Sequence, residues 1–117
     1  MTGNEYQCLA LRTASSSQPD DHILNGVMGL NGEAGECIDI VKKHLFQGHP
    51  LDTDKLLDEL GDVLWYVAIT AAAIGCELND VMQHNIDKLR VRYPDGFDAE
   101  RSIHREGERE GFGSTGR

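Results

Sequence analysis

Two pairs of acids, each spaced by three residues, constrain this chain most: Glu33 with Glu36, and Glu59 with Asp62. They sit in two stretches of helical periodicity, L-N-G-E-A-G-E-C-I-D-I-V-K-K-H-L-F and L-D-T-D-K-L-L-D-E-L-G-D-V-L-W-Y-V-A, separated by Gly48-His49-Pro50. On an α-helix, residues i and i+3 are neighbours on one face. Two antiparallel helices therefore bring the four acids to one spot. At an effective dielectric of ~20, two bare charges ~4 Å apart repel by about 4 kcal/mol. Such a group calls for protonation, separation or a cation. An oxygen-only set suits a hard cation, Mg²⁺ or Mn²⁺, rather than zinc. Asp39 and Asp58 lie close enough in sequence either to join the set or to face water.

The acids belong to an acidic body. The 117-residue chain carries a net charge of −9, and residues from Arg101 onward hold four arginines against three glutamates. Residues 1–100 therefore stand at −10. Such a surface repels a phosphate backbone, which argues against nucleic-acid binding. Three cysteines, Cys8, Cys37 and Cys76, form no C-x-x-C and read as small buried hydrophobes of a reducing compartment. The N-terminus is polar, with no apolar leader, and the longest apolar run, Val63 to Ile74, is too short to cross a bilayer. The expected setting is cytoplasmic, with no membrane partner.

Periodicity predicts an all-α domain over 1–100. A first helix spans about 4–14, followed by the linker S-S-S-Q-P-D-D, in which Asp20 or Asp21 caps the next helix. That helix runs from about His22 to Phe46 with an apolar stripe of Leu24, Val27, Met28, Ala34, Ile38, Val41 and Leu45. Glu33 and Glu36 lie away from the stripe and share their face with Gly26, Gly29 and Ile40. Glycine costs up to ~1 kcal/mol relative to alanine inside a helix. The run of Gly26, Gly29, Gly32 and Gly35 thus implies either close helix packing or room for a ligand.

A C′ glycine, Gly48, and Pro50 end this helix. A third, capped by Asp52 or Thr53, reaches about Ile74 and stops at Gly75. Beyond Asp62 it is apolar nearly all round, with Trp65, Tyr66, Ile69, Ala72 and Ala73 flanking its main stripe. A helix hydrophobic on every side needs cover on every side. Four helices of this size struggle to supply it, so a homodimer or tetramer is expected, with Trp65 or Ile69 near the interface. Trp65 and Tyr66 could also stack on a base, but core packing is the stronger reading.

The fourth helix, about Leu78 to Arg92, sets Asn85, Lys88 and Arg92 on one ridge beside its apolar stripe. Tyr93-Pro94-Asp95-Gly96-Phe97 breaks it, and residues 101–117 read as a disordered tail rich in glycine and mixed charge. No H-E-x-x-H, G-x-S-x-G or G-x-x-x-x-G-K-[ST] is present, and the helical Glu-x-x-His of di-iron bundles is missing. The five histidines read as surface or capping residues.

The E-A-G-E … E-L-G-D pattern, followed by N-I-D-K-L-R-V-R-Y-P-D-G-F and preceded by N-E-Y-Q, resembles the MazG-like branch of the all-α nucleoside triphosphate pyrophosphohydrolases. It covers about Asn4 to Phe97. The resemblance implies a four-to-five-helix bundle, assembled as a homo-oligomer. It also implies hydrolysis of the α–β phosphoanhydride of a (deoxy)nucleoside triphosphate to a monophosphate and pyrophosphate. Glu33, Glu36, Glu59 and Asp62 match the family's metal ligands, with Glu36 or Glu59 as a base, and Lys88 and Arg92, with Asn85 beside them, match its phosphate contacts. MazG proper carries two such domains; this chain has one. Alternatives are a dUTP- or dCTP-directed enzyme or phosphoribosyl-ATP pyrophosphatase of the same fold, and a non-catalytic nucleotide-binding module. Retention of all four acids with both basic residues argues against the last.

Overall fold

The computed structural model describes residues 1–15 and 19–105. They form five helices: α1 (Gly3–Leu11), α2 (Pro19–Phe46), α3 (Thr53–Ala73), α4 (Leu78–Arg92) and α5 (Ala99–Ile103). Among the described residues the only pairing outside helices is an isolated bridge between Pro94 and Gly96. The chain divides into two compact units, Met1–Asn79 and Asp80 onward. No single helix among the described residues is long and apolar enough to cross a membrane.

Local chemistry accounts for the boundaries. Thr2 caps α1 by accepting from the Glu5 amide at 3.0 Å. That helix stops at Leu11, shorter than the expected 4–14, because Thr13 and Ala14 turn back onto the Ala10 and Leu11 carbonyls. The second helix starts at Pro19 rather than near His22. Proline suits the first helical position, where its missing N–H costs nothing. Asp52 caps α3 by accepting from the Lys55 amide at 3.0 Å. The other end of α3 is closed by Gly75 at φ +80°, with Cys76 N bonded to Ala71 O at 2.8 Å and Gly75 N to Ala72 O at 3.0 Å. That double closure satisfies carbonyls the helix itself leaves open.

Within the first unit, α2 and α3 pack along their length and α1 lies on α3. Gln7, itself buried, ties α1 down. Its side-chain amide donates to Ala68 O at 3.1 Å and Cys76 O at 3.0 Å, and its carbonyl accepts from Leu78 N at 3.0 Å. Asn4 and Asn79 exchange side-chain-to-amide bonds at 3.0 and 2.9 Å. Trp65 reaches from α3 to the Thr13 hydroxyl at 2.9 Å.

The packing of α2 is the reverse of the side its hydrophobicity suggests. Leu24, Met28, Ile38 and Leu45 stand 58, 65, 68 and 64% exposed, whereas Ile40, on the opposite face, is 6% exposed. The glycine face is the one laid on α3: a Cβ at Gly26 would meet the Thr70 side chain, and one at Gly29 the Tyr66 ring. Of the two readings of the glycines, close packing holds for these two. Gly32 and Gly35 have open space where a Cβ would stand. On α3, Ala68, Ile69 and Ala71 are buried, and among the described residues no large side chain is fully enclosed.

In the second unit, α4 leads into a turn in which Gly96 takes φ +95° and the Tyr93 and Phe97 rings meet at 5.3 Å. Asp98 then caps α5 through the Glu100 amide at 2.9 Å. Helix therefore continues through Arg101, Ser102 and Ile103, the start of the segment read as tail, because this cap restarts the chain after the turn. The remainder of that tail, 106–117, lies outside the described residues, as do Ser16, Ser17 and Gln18 of the linker.

The glycine contacts make a paired expectation. Gly29→Ala should lower stability by about 1–3 kcal/mol, the usual cost of overpacking, because the Tyr66 ring is held edge-on against Trp65. Gly32→Ala, in open space, should raise it by up to ~1 kcal/mol through helix propensity alone. Urea unfolding of both variants at one protein concentration measures the difference.

Candidate metal centre

The Gly26–Gly29 approach sets the distance between α2 and α3, and one turn further along α2 the acids meet. Glu33 from α2 and Glu59 and Asp62 from α3 each place a carboxylate oxygen within 4.8 Å of the other two. Glu33 and Glu59 are half-buried and Asp62 is exposed. Metal–oxygen bonds of about 2.1 Å for Mg²⁺ put opposite ligands about 4.2 Å apart, and the longer bonds of Ca²⁺ about 4.8 Å. The three oxygens thus fit around one hard cation with little side-chain movement. Nitrogen and sulfur donors are absent from the cluster, which favours an oxygen-seeking ion.

The electrostatics show a cluster short of positive charge. A hydrogen bond with Glu59 is the largest influence on Glu33 and requires a proton on one of the two acids. Partial burial and the charges of Glu59, Asp62 and Glu36 add to it, and together they push Glu33 from the usual 4.5 up to about 7. A divalent cation held there would do the work of that proton.

Of the four acids singled out from spacing, Glu33, Glu59 and Asp62 converge. Glu36 stands one turn on, exposed, outside the trio yet close enough for its charge to act on Glu33. Asp39 is held elsewhere: Lys43 contacts it at 2.9 Å, and that hydrogen bond keeps its carboxyl below the usual range. Asp58 is exposed and outside the trio. Asn85, Lys88 and Arg92 belong to the second unit, on α4, where Lys88 and Arg92 are half-buried and Asn85 is exposed.

One neighbour escaped the sequence reading. Burial, and then the charge of Asp62, raise the Tyr6 phenol above its usual value, so α1 brings an aromatic hydroxyl into the field of the cluster. The N-E-Y-Q stretch held the signal. Asn4 and Gln7, three apart, are the residues whose hydrogen bonds hold α1, and Tyr6 lies between them.

Residues 24–97 match the MazG nucleotide pyrophosphohydrolase domain. The gene 37 protein of Mycobacterium phage L5 is 46% identical over 69 residues, covering 56% of this chain and 60% of that protein. The chain thus spans about 60% of that relative's length. No solved structure matches it.

The raised Glu33 has a consequence for the metal-free protein. Its proton is bound more tightly folded than unfolded, so this group's stabilisation is complete below about pH 4.5 and is lost as pH rises through about 7. In a chelator, the wild-type Tm should fall across that window relative to Glu33→Gln, which carries no titrating group there. Thermal melts of the two proteins from pH 4.5 to 8, with and without Mg²⁺, measure the difference, and Mg²⁺ should remove it.

Proposed function

Because the chain belongs to the MazG nucleotide pyrophosphohydrolase domain family, we propose that it hydrolyses (deoxy)nucleoside triphosphates between the α- and β-phosphates. The products are a nucleoside monophosphate and pyrophosphate. The observation that carries this reading is the convergence of Glu33, Glu59 and Asp62, where a hydrogen bond with Glu59, then burial and the neighbouring charges, raise the Glu33 carboxyl. A cluster of that chemistry is suited to a cation-bound polyphosphate.

Mg²⁺, with Mn²⁺ as a substitute, supplies charge neutralisation of the phosphates and a more acidic water when bound. Glu33, Glu36, Glu59 and Asp62 are its assigned ligands, through the converged trio and Glu36 beside it. Glu36 or Glu59 takes the proton of the attacking water as its oxygen bonds to the α-phosphorus. The bond from that phosphorus to the bridging oxygen then breaks, and the electron pair leaves on pyrophosphate. The family resemblance assigns Lys88 and Arg92, with Asn85 beside them, to that growing charge. Lys88 and Arg92 are each half-buried on α4, which favours fixed placement over free motion.

The active form in this reading is a homo-oligomer, a dimer or a tetramer. The support is energetic: burying one large apolar side chain is worth ~1.5–3 kcal/mol, against roughly 5–15 kcal/mol for a whole domain. This chain leaves more than a few such side chains half exposed or worse.

The test is a panel of all dNTPs and NTPs with Mg²⁺, assayed separately for pyrophosphate and orthophosphate. Pyrophosphate release that stops with chelator is the expected result; orthophosphate alone, or no turnover of any nucleotide, sinks the reading. Glu59→Gln should lower kcat by at least ~10²-fold while the helical content stays unchanged. Lys88→Ala should lower kcat/KM on the order of 10²-fold for every base alike, since phosphates carry no base identity. A loss confined to one base would reassign Lys88 to base reading.

A further inference from the structure

Gly61 sits inside α3 without the packing reason that Gly26 and Gly29 have. A Cβ at those two would strike Thr70 and Tyr66, whereas at Gly61 it meets nothing within 4 Å among the described residues. Alanine there would favour the helix, so the open space comes at a cost to α3. Gly32 and Gly35 are open as well, but the surroundings of Gly61 differ. Leu57, Leu64 and Trp65 stand at i−4, i+3 and i+4 from it, and residues at those spacings are neighbours on a helix surface. Leu57 and Leu64 are 68 and 45% exposed, and Trp65 is half-buried.

Helical side chains lean toward the N-terminus, so a tryptophan at i+4 ordinarily covers position i. Trp65 leaves Gly61 bare. Its indole N–H donates to the Thr13 hydroxyl, just past α1, at 2.9 Å. Its ring stands edge-on to Tyr66, with centroids 5.0 Å apart and planes at 89°. Those two contacts fix the indole and neither closes the space beside it. One turn further along α3, Ala68 and Ile69 are buried. The covered part of α3 therefore ends at the indole, and the open part begins over Gly61.

We propose that this niche, floored by Gly61 and walled by Trp65, seats the nucleobase of the triphosphate, stacked on the indole. The proposal rests on the hydrolase reading above and adds the place of the substrate's uncharged end. The phosphates need a cation to approach the acid cluster, whereas a neutral base can lie on the apolar surface that Leu57, Leu64 and Trp65 supply. Asp62 follows Gly61 in the chain and points about 100° round the helix from it. Base and phosphates thus divide between adjoining faces of α3, with the sugar between them. Glycine at the floor lets a planar ring come close to the backbone. Stacking accepts any base, since each has a π-face, so the niche selects nucleotides over bare polyphosphate without choosing among purines and pyrimidines.

Trp65 is the chain's one tryptophan, so its fluorescence reads the niche directly. The probes are the α,β-methylene analogues of dATP and dCTP, which resist cleavage at the scissile position, and inorganic tripolyphosphate, each with Mg²⁺. Both nucleotide analogues should quench the indole, and tripolyphosphate should not. Gly61→Leu fills the niche and should raise KM for every nucleotide about 10-fold, within what stacking of one base supplies. Its kcat should change little, the mark of lost uniform binding, and its Tm should not fall. Equal quenching by tripolyphosphate would show that the indole answers to phosphate, and overturns the niche. Pyrophosphate release with neither nucleotide quenching nor an effect of Gly61→Leu also overturns it, and leaves the hydrolase reading in place. No release from any nucleotide, with neither analogue bound, overturns both.

Discussion

The close approach of α2 to α3 at Gly26 and Gly29 is the contact on which the rest of the structure depends. Without side chains at those positions, Thr70 and Tyr66 of α3 occupy the space where α2 would carry methyl groups. The helices then run near enough for carboxylates on both to share one small volume. Glycine weakens a helix, and like charges brought together repel. Both costs fall on the same two helices, which is the signature of a stretch shaped for chemistry as well as for stability.

Strain of that kind needs anchoring. Gln7 supplies it from α1, with all three of its polar contacts made to backbone groups of α3, its closing turn and the first residue of α4. A buried amide with every contact satisfied is rigid, since breaking any one leaves a desolvated polar atom. The Thr13 hydroxyl, bonded to both Ala10 O and the Trp65 indole, adds a second tie at the other end of α1. Next to Gln7 stands Tyr6, in the field of Asp62. The first helix is therefore a strap across α3, and the acid cluster is bordered by α1 as well as built from α2 and α3.

Hydrophobic periodicity carried the first four helices and most of their boundaries, since capping and termination are local events; α5, started by the Asp98 cap, was not among them. Asp52, Gly75 and the Y-P-D-G-F turn act where their chemistry says they should. Paired spacing named the four candidate acids, but it was the packing of the glycine face of α2 on α3 that brought Glu33, Glu59 and Asp62 together and left Glu36 outside the trio. The family match covers residues 24–97, which include all four. The residues that closed α1 early and opened α2 at Pro19 lie in the least periodic stretch, where a few turn contacts outweigh propensity.

What the sequence determined by itself was therefore the all-α character, the hairpin of α2 and α3, and the two acid pairs, four candidates of which the packing brings Glu33, Glu59 and Asp62 together. Tertiary structure alone decided which side of α2 faces inward. Periodicity reports that a helix has an apolar stripe, but does not say which neighbour will cover it. Here the glycine and carboxylate face won the contact with α3, because only a face lacking side chains at Gly26 and Gly29 admits Tyr66 and Thr70. The apolar stripe of Leu24, Ile38 and Leu45 was thereby left outside. Tertiary structure likewise brought Tyr6 near Asp62. Those outcomes depend on distances between elements far apart in the chain, which no local pattern encodes.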